Sequence, residues 1–392
     1  MRRQAEIGLL LALCFFLPLY EAPKNLAWAA YLLMWLVNRT MARDFGGRWD
    51  IWDSLLAAWL SSGILVAAFA GLHGNEWRGA LDLVRYGTVL WTLKRSRFSE
   101  REERWVLATL VASTLVGLAM GYAALWRGTE PTLQLNSVGH VNHTSIYLAI
   151  MLGVSVAWLF TGRWPLLASA VALIMLVSLF VTASRGAIGV ALVMLPLLAA
   201  AWWRRSRLPL VVASAVVAAA VVLAVGGGAD VLKKQEARAA KGDPLVYRTE
   251  IWRLALVAWE RYPWFGVGMD NFGLVTNDRV ASWRREAGKE FDPSQYKEFP
   301  HAHSLAFNTL AERGVLGSAA LAAVLLAWGL ALVRRRPGPD AAPDEWMLWS
   351  AAAGAWLVTL GVGTVNTTLH DEHGILAALL LGLWLARLAK AA

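Results

Sequence analysis

Apolar runs long enough to cross a lipid hydrocarbon core recur from one end of this chain to the other. They constrain its fold more than any motif does. A spanning helix needs roughly 17–25 largely apolar residues. Read as helices, the runs cover residues 7–20, 26–37, 51–70, 80–93, 105–125, 144–160, 164–181, 187–203, 208–225, 305–333, 347–365 and 375–389. The first two and the fourth are short, so the total is about twelve, give or take one or two. Of the 392 residues 57% are hydrophobic and only 17% charged, and the mean hydropathy is +0.47; a soluble chain of this length carries more charge. The 22 tryptophans fit membrane interfaces, where an amphipathic ring is favoured. The expected fold is all-α: a polytopic membrane helix bundle, residues 1–392 forming a single integral membrane domain.

A net charge of +9 is compatible with nucleic acid, but its placement argues otherwise. Basic residues sit in every second connection: Arg39, Arg43 and Arg48; Lys94, Arg95, Arg97, Arg101 and Arg104; Arg163; Arg204, Arg205 and Arg207; Arg334, Arg335 and Arg336. Arg387 and Lys390 end the chain. By the positive-inside rule these loops and both termini are cytoplasmic, so the partners are membrane lipids and no nucleic acid. Met1-Arg2-Arg3 before an apolar run has the look of a signal peptide. No small-residue cleavage site follows, which predicts a retained first helix. Cys14, the only cysteine, lies within it, so no intramolecular disulfide is possible.

The opposite face carries residues 21–24, 71–78, 126–142, a tight turn near Ser184, the long stretch 226–302 and residues 366–373. Only 226–302, between the ninth and tenth spans, is large enough to fold as a substructure containing helices. Within it a glycine run, Gly226-Gly227-Gly228, a polar segment from Lys233 to Lys241, and a break at Gly242-Asp243-Pro244 precede an amphipathic stretch from Tyr247 to Tyr262. Its apolar spacing at Ile251, Leu254, Ala255, Ala258 and Trp259 predicts a helix lying on the membrane surface.

Three features on this outer face carry chemistry. Ser184-Arg185-Gly186 puts an arginine between two apolar spans with almost no loop, costly unless it is paired or serves a ligand; a plain interfacial anchor is the alternative. Tyr247-Arg248-x-x-Ile251-Trp252 opens the surface helix with a guanidinium, whose planar fork matches phosphate; the alternative is an arginine among lipid headgroups. His301-Ala302-His303-Ser304 opens the tenth span, where a histidine can act as a base near neutral pH. Taken alone, such a histidine is more often structural. On a helix the two histidines would point different ways, so a shared metal is not expected there. Asn142 in Gly139-His140-x-Asn142-His143 is placed to cap the sixth span, with Asn142 and His143 secondary candidates for lining a substrate cleft. His370-Asp371-Glu372-His373 caps the last span; acidic residues meeting the helix dipole are preferred there over a metal or acid/base site. Asp82 and Arg85 are spaced to pair within one helix turn. Gly266-x-Gly268 follows no strand, which argues against a dinucleotide site.

His303-Ser304, nine residues, then Gly314-x-x-Gly317 resembles the signature of the O-antigen ligases. Ser184-Arg185-Gly186, Tyr247-Arg248 with Trp252, and Pro263-x-Phe265-Gly266-x-Gly268 are similar to features of the same superfamily, in the same order. The layout of spans and the long loop before the tenth helix agree, so the resemblance covers essentially the whole chain. It implies a glycosyltransferase of lipopolysaccharide biosynthesis in the bacterial inner membrane, multi-pass, with a periplasmic active site. The implied donor is a glycan on undecaprenyl pyrophosphate; the implied acceptor is a sugar hydroxyl of lipid A-core. His303 matches the family's catalytic histidine, and Arg185 and Arg248 its two pyrophosphate-binding arginines. His301 and Tyr247 rank as secondary.

Physical reasoning runs parallel. The donor already carries a good leaving group, and charge developing on the departing pyrophosphate is best met by prepositioned guanidinium groups. The attacking hydroxyl needs its proton accepted, which is work for a histidine. With no carboxylate pair to act as nucleophile and base, single displacement with inversion is expected. The absence of a D-x-D motif argues for a metal-independent reaction, with no metal site and no cofactor. The O-antigen polymerases and protein O-oligosaccharyltransferases share the layout and the donor, and stand as alternatives. A transporter of a lipid-linked substrate is the alternative of another class. It would place charge near the bilayer midplane on repeated, interrupted helices, whereas these candidates gather at one end of the spans.

Overall fold

The computed structural model describes residues 2–205 and 247–391. Among them are thirteen α-helices and no strand: α1 (Arg2–Phe16), α2 (Glu21–Ala42), α3 (Ile51–Ala68), α4 (Glu76–Lys94), α5 (Glu100–Trp126), α6 (Val141–Phe160), α7 (Pro165–Val181), α8 (Arg185–Trp202), α9 (Arg248–Arg261), α10 (Asn277–Glu286), α11 (Leu305–Arg334), α12 (Pro343–Gly363) and α13 (Asp371–Ala391). Seven of these, α3, α5, α6, α8, α11, α12 and α13, are long and apolar enough to cross a membrane. α7 is apolar but shorter. The protein is a helical, multi-pass membrane protein. The run at 208–225 and residues 226–246 of the long loop lie outside the described residues.

α6 is the axis of the bundle: 94% of its apolar window is buried, and α7, α8, α12 and α13 pack around it. A helix apolar all round is stable only in such a central position. α13 also lies against α4, while α1 packs on α2 and α5. The basic connections gather at one end. There Arg3 meets Glu6 and Glu102, Arg387 meets Glu103, and Arg163 meets Asp344. The tightest knot is Asp53, 1% exposed, which accepts a bidentate pair from Arg95 at 2.6 and 2.9 Å and a third bond from Lys94 at 2.8 Å. Asp53 and Asp50 also complete a capping box at the start of α3. A buried carboxylate is tolerable only when satisfied this fully.

The opposite end is built around a broken helix. Gly314, with φ 58° and ψ −160°, interrupts α11 one-third of the way along. The segment from Pro263 to Gly268 lies against the break: Val267 N–H donates to Ala311 O and Gly268 N–H to Glu312 O, both at 2.9 Å. On the far side Val315 N–H donates to Pro263 O at 2.8 Å and Leu316 N–H to Trp264 O at 3.2 Å. The peptide groups that the break frees inside an apolar bundle are thus re-satisfied by another stretch of backbone. Both glycines at the crossing are required. A Cβ on Gly266 would lie 2.4 Å from Glu312 C, and one on Gly314 2.4 Å from Trp264 C.

α9 corrects one expectation. Its apolar face (Ile251, Leu254, Ala255, Ala258) does form, but it is buried in protein against Val267, Phe272, Val280 and Ala311 rather than laid on lipid. The loop residues after α9 supply enough apolar surface to cover it. Asn142 likewise does not cap α6; His140 does, its Nδ1 accepting from Asn142 N–H at 3.2 Å. Asp82 and Arg85 pair as expected, at 2.7 Å.

Gly314→Ala should destabilise the protein by about 1–3 kcal/mol, the usual cost of a non-glycine residue forced into such a conformation, with the steric clash added. Gly189→Ala, where nothing lies within 4 Å of the added carbon, is the control. Thermal unfolding in detergent should show a lowered midpoint for the first variant alone.

Candidate functional site

Residues from five parts of the chain line one cavity of about 1020 Å³ at the broken-helix end. The start of α6 contributes His140, Asn142 and His143; the turn into α8 contributes Ala183, Ser184 and Arg185; the start of α9 contributes Tyr247 and Arg248. The loop before α11 adds Lys297, Phe299, His301 and His303, and the end of α12 adds Val365 and Asn366. All seven residues singled out in the sequence, Arg185, Arg248, His303, His301, Tyr247, Asn142 and His143, face this one space.

Local structure explains how they get there. Trp252 stacks on Phe307 with ring centroids 5.0 Å apart, and its indole N–H donates to Ala302 O at 3.0 Å. Asn308 Oδ1 accepts from Ala302 N–H at 2.8 Å. Ala302, fully buried, is therefore pinned from both sides. The histidines flanking it stand in a loop, because α11 begins only at Leu305. The helical argument that separated them fails for that reason: their rings lie 5.2 Å apart and both reach the cavity. Three of the lining residues, Ala183, Tyr247 and His303, hold left-handed backbone with φ of 53°, 62° and 48°. Such conformations cost energy and concentrate at functional positions.

The electrostatics favour an anion. Among the described lining residues there are three permanent cations, Arg185, Arg248 and Lys297, and no carboxylate. Arg185 makes no ion pair with any described residue. The Arg248 Nε–H donates to Val365 O at 3.0 Å, which holds its guanidinium at the cavity wall. Lys297 lies over the Tyr247 ring, 5.3 Å from its centre. His303 is held below the ordinary histidine range, chiefly by burial, with Arg248 adding to the effect and a hydrogen bond to Asn366 opposing it. Burial and the neighbouring histidines push His301 down to about 3. Both shifts favour the neutral imidazole, the form in which a histidine can act as a base, and leave His301 the weaker base of the two.

Lys297 and Asn366 escaped the sequence reading. Neither stands in a motif, and only the fold brings residue 366 beside residue 303: His303 Nδ1 lies 3.4 Å from Asn366 Oδ1. Thr367 N–H donates to the same oxygen at 2.9 Å, which fixes which end of the amide faces the histidine.

A family model described as O-antigen ligase matches residues 170–322. That stretch is of the O-antigen ligase family. It runs from α7 into α11 and holds Arg185, Arg248, His301, His303 and the Gly314 break. The α6 and α12 walls of the cavity lie outside the ligase-family match. No curated protein matches the chain.

Because the His303 pKa is lowered, its neutral form persists to a lower pH than that of an unperturbed histidine. The acid limb of a pH profile that depends on it should fall below the ordinary value of about 6.5. Arg248→Gln removes a positive neighbour and should move that limb upward. A limb that stays put in the variant would mean another group titrates.

Proposed function

We propose that this ligase-family protein is a membrane glycosyltransferase that moves a glycan from undecaprenyl pyrophosphate to a sugar hydroxyl of lipid A-core. One observation carries the reading: the cavity combines three permanent cations with two neutral imidazoles, and its described lining has no carboxylate. A diphosphate headgroup satisfies the cations, and the transfer chemistry occupies the imidazoles. The cavity stands at the end of the bundle opposite the basic connections. By the positive-inside rule it opens to the periplasm, with both termini cytoplasmic in the inner membrane. The long loop 226–302 then lies on the periplasmic side, and about twelve helices span the bilayer.

In this mechanism Arg185 and Arg248 hold the pyrophosphate and meet the charge that grows on it as the glycosidic bond breaks. His303, in the tautomer whose Nδ1–H donates to Asn366, presents Nε2 to the acceptor hydroxyl. Nε2 takes the proton as the acceptor oxygen bonds to the anomeric carbon. The electron pair of the breaking C–O bond leaves with the pyrophosphate, and configuration inverts. The arginines neutralise the leaving group, so the donor needs no metal ion on its phosphates. Tyr247, His301, Asn142 and His143 line the space beside the reacting atoms.

The alternative of transport is disfavoured by how the α11 break is used: backbone 263–268 hydrogen-bonds across it rather than leaving its peptide groups to bind an ion. Polymerase and protein-directed transfer share the donor and differ only in what receives the glycan.

Reconstituted protein offered the lipid-linked donor with lipid A-core, with a second donor repeat, or with an acceptor protein should glycosylate lipid A-core alone. Arg185→Ala, Arg248→Ala and His303→Ala should each lower turnover at least about 100-fold, the scale of a lost general base or oxyanion donor. Arg204→Ala, at the far end and exposed, should leave it within about twofold, as is usual for a surface change. Equal loss in all four would sink the assignment.

A further inference from the structure

Six of the seven histidines in the chain form one continuous group. His143 is its centre, with ring centroids 6.4 Å from His140, 6.1 Å from His301, 5.5 Å from His370 and 5.3 Å from His373; His301 leads on to His303. The transfer chemistry uses only the His303 end. The other end meets a carboxylate. Asp371 Oδ2 lies 2.6 Å from His370 Nδ1 and 3.7 Å from His143 Nδ1, and the donor atoms of these three residues all fall within 4.8 Å of one another.

A second observation points to the same place. His373, fully buried in the first turn of α13, has no hydrogen-bond partner for its Nε2 among the described residues. A buried nitrogen without a partner is uncommon, and the His373 ring lies 5.3 Å, centre to centre, from that of His143. Glu372 does not compete for the position, because Lys24 and Ser137 hold its carboxylate. Leu369 and Asp371, on either side of His370, both have left-handed backbone, with φ of 53° and 42°. The turn into α13 is thus shaped around His370.

We propose that His143, His370 and Asp371 form a site for a zinc-class divalent cation, its fourth position left to a solvent molecule. Two imidazole nitrogens and one carboxylate oxygen suit zinc or cobalt; calcium and magnesium call for oxygen ligands. Ligand bonds of about 2.0–2.1 Å place tetrahedral donors about 3.3 Å apart. The 3.7 Å approach of His143 has to close slightly and the 2.6 Å His370–Asp371 contact has to open. Such an ion ties the start of α6 to the start of α13 and fixes the His143 wall of the cavity. His143 also lines the cavity, but the site shares no residue with Arg185, Arg248 and His303, and it does not rest on the proposed transfer.

The test uses the full chain, purified in detergent with a tag free of histidine, stripped by chelator and titrated with cobalt. One equivalent should bind with the visible bands of four-coordinate cobalt and be displaced by zinc, and zinc should raise the thermal midpoint of the unmodified protein. His143→Ala and Asp371→Asn should each weaken cobalt binding at least about tenfold, the scale of loss seen even for residues behind the ligands. No stoichiometric binding by the unmodified protein, or undiminished binding by His143→Ala, would overturn the site and leave His370 and Asp371 as an ion pair. None of these readouts involves glycan transfer, so either proposal can fail without the other.

Discussion

The crossing of two backbones at Gly266 and Gly314 is the constraint on which the functional end of this protein depends. A helix interrupted inside an apolar bundle exposes peptide groups that lipid cannot satisfy. Here they are taken up by the segment that follows α9, at the sole cost of side chains at two positions. The crossing joins the end of α9 to α11, and Trp252 joins the middle of α9 to the loop before α11. The arginine at the start of one helix and the histidine ahead of the other are held together through this pair of attachments. Neither side chain needs to touch the other to be fixed in place.

The two ends of the bundle handle charge in opposite ways. At the basic end every buried charge finds a partner, with Asp53 answered by both Lys94 and Arg95. Tryptophans such as Trp105, Trp164 and Trp203 are exposed there, as rings at a membrane interface would be. At the other end the carboxylates (Asp82, Asp270 and Glu312) lie around a separate small pocket with His370. Among the described residues, the lining of the large cavity holds only positive and neutral groups.

Helix content and the alternation of basic loops were legible in the sequence because both follow from local composition. The residues that meet in the cavity were legible as candidates because each broke a local rule: Arg185 had no loop to float in, and His303 stood before a glycine pair of fixed spacing. What each supports was not legible. Gly314 serves the crossing with Pro263–Gly268, a contact between residues some fifty apart that spacing alone does not reveal. Asn366 faces His303 through the packing of α12 on α11. The covered face of α9 shows the limit in another form, since an amphipathic pattern states that one side is buried without naming what buries it. His143, His370 and Asp371 meet for the same reason, through α6 and α13 packing together.

Three like charges gathered in a cavity whose described walls hold no carboxylate give that space a positive field. On the proposed function, a lipid diphosphate headgroup entering that field would displace mobile anions from it, and their release would help to drive capture. It weakens as ionic strength rises and screening shortens the reach of the field. If the donor is lipid-linked as proposed, the spent lipid phosphate would meet the same attraction on its way out, so the grip that recruits a fresh carrier would also slow the departure of the used one.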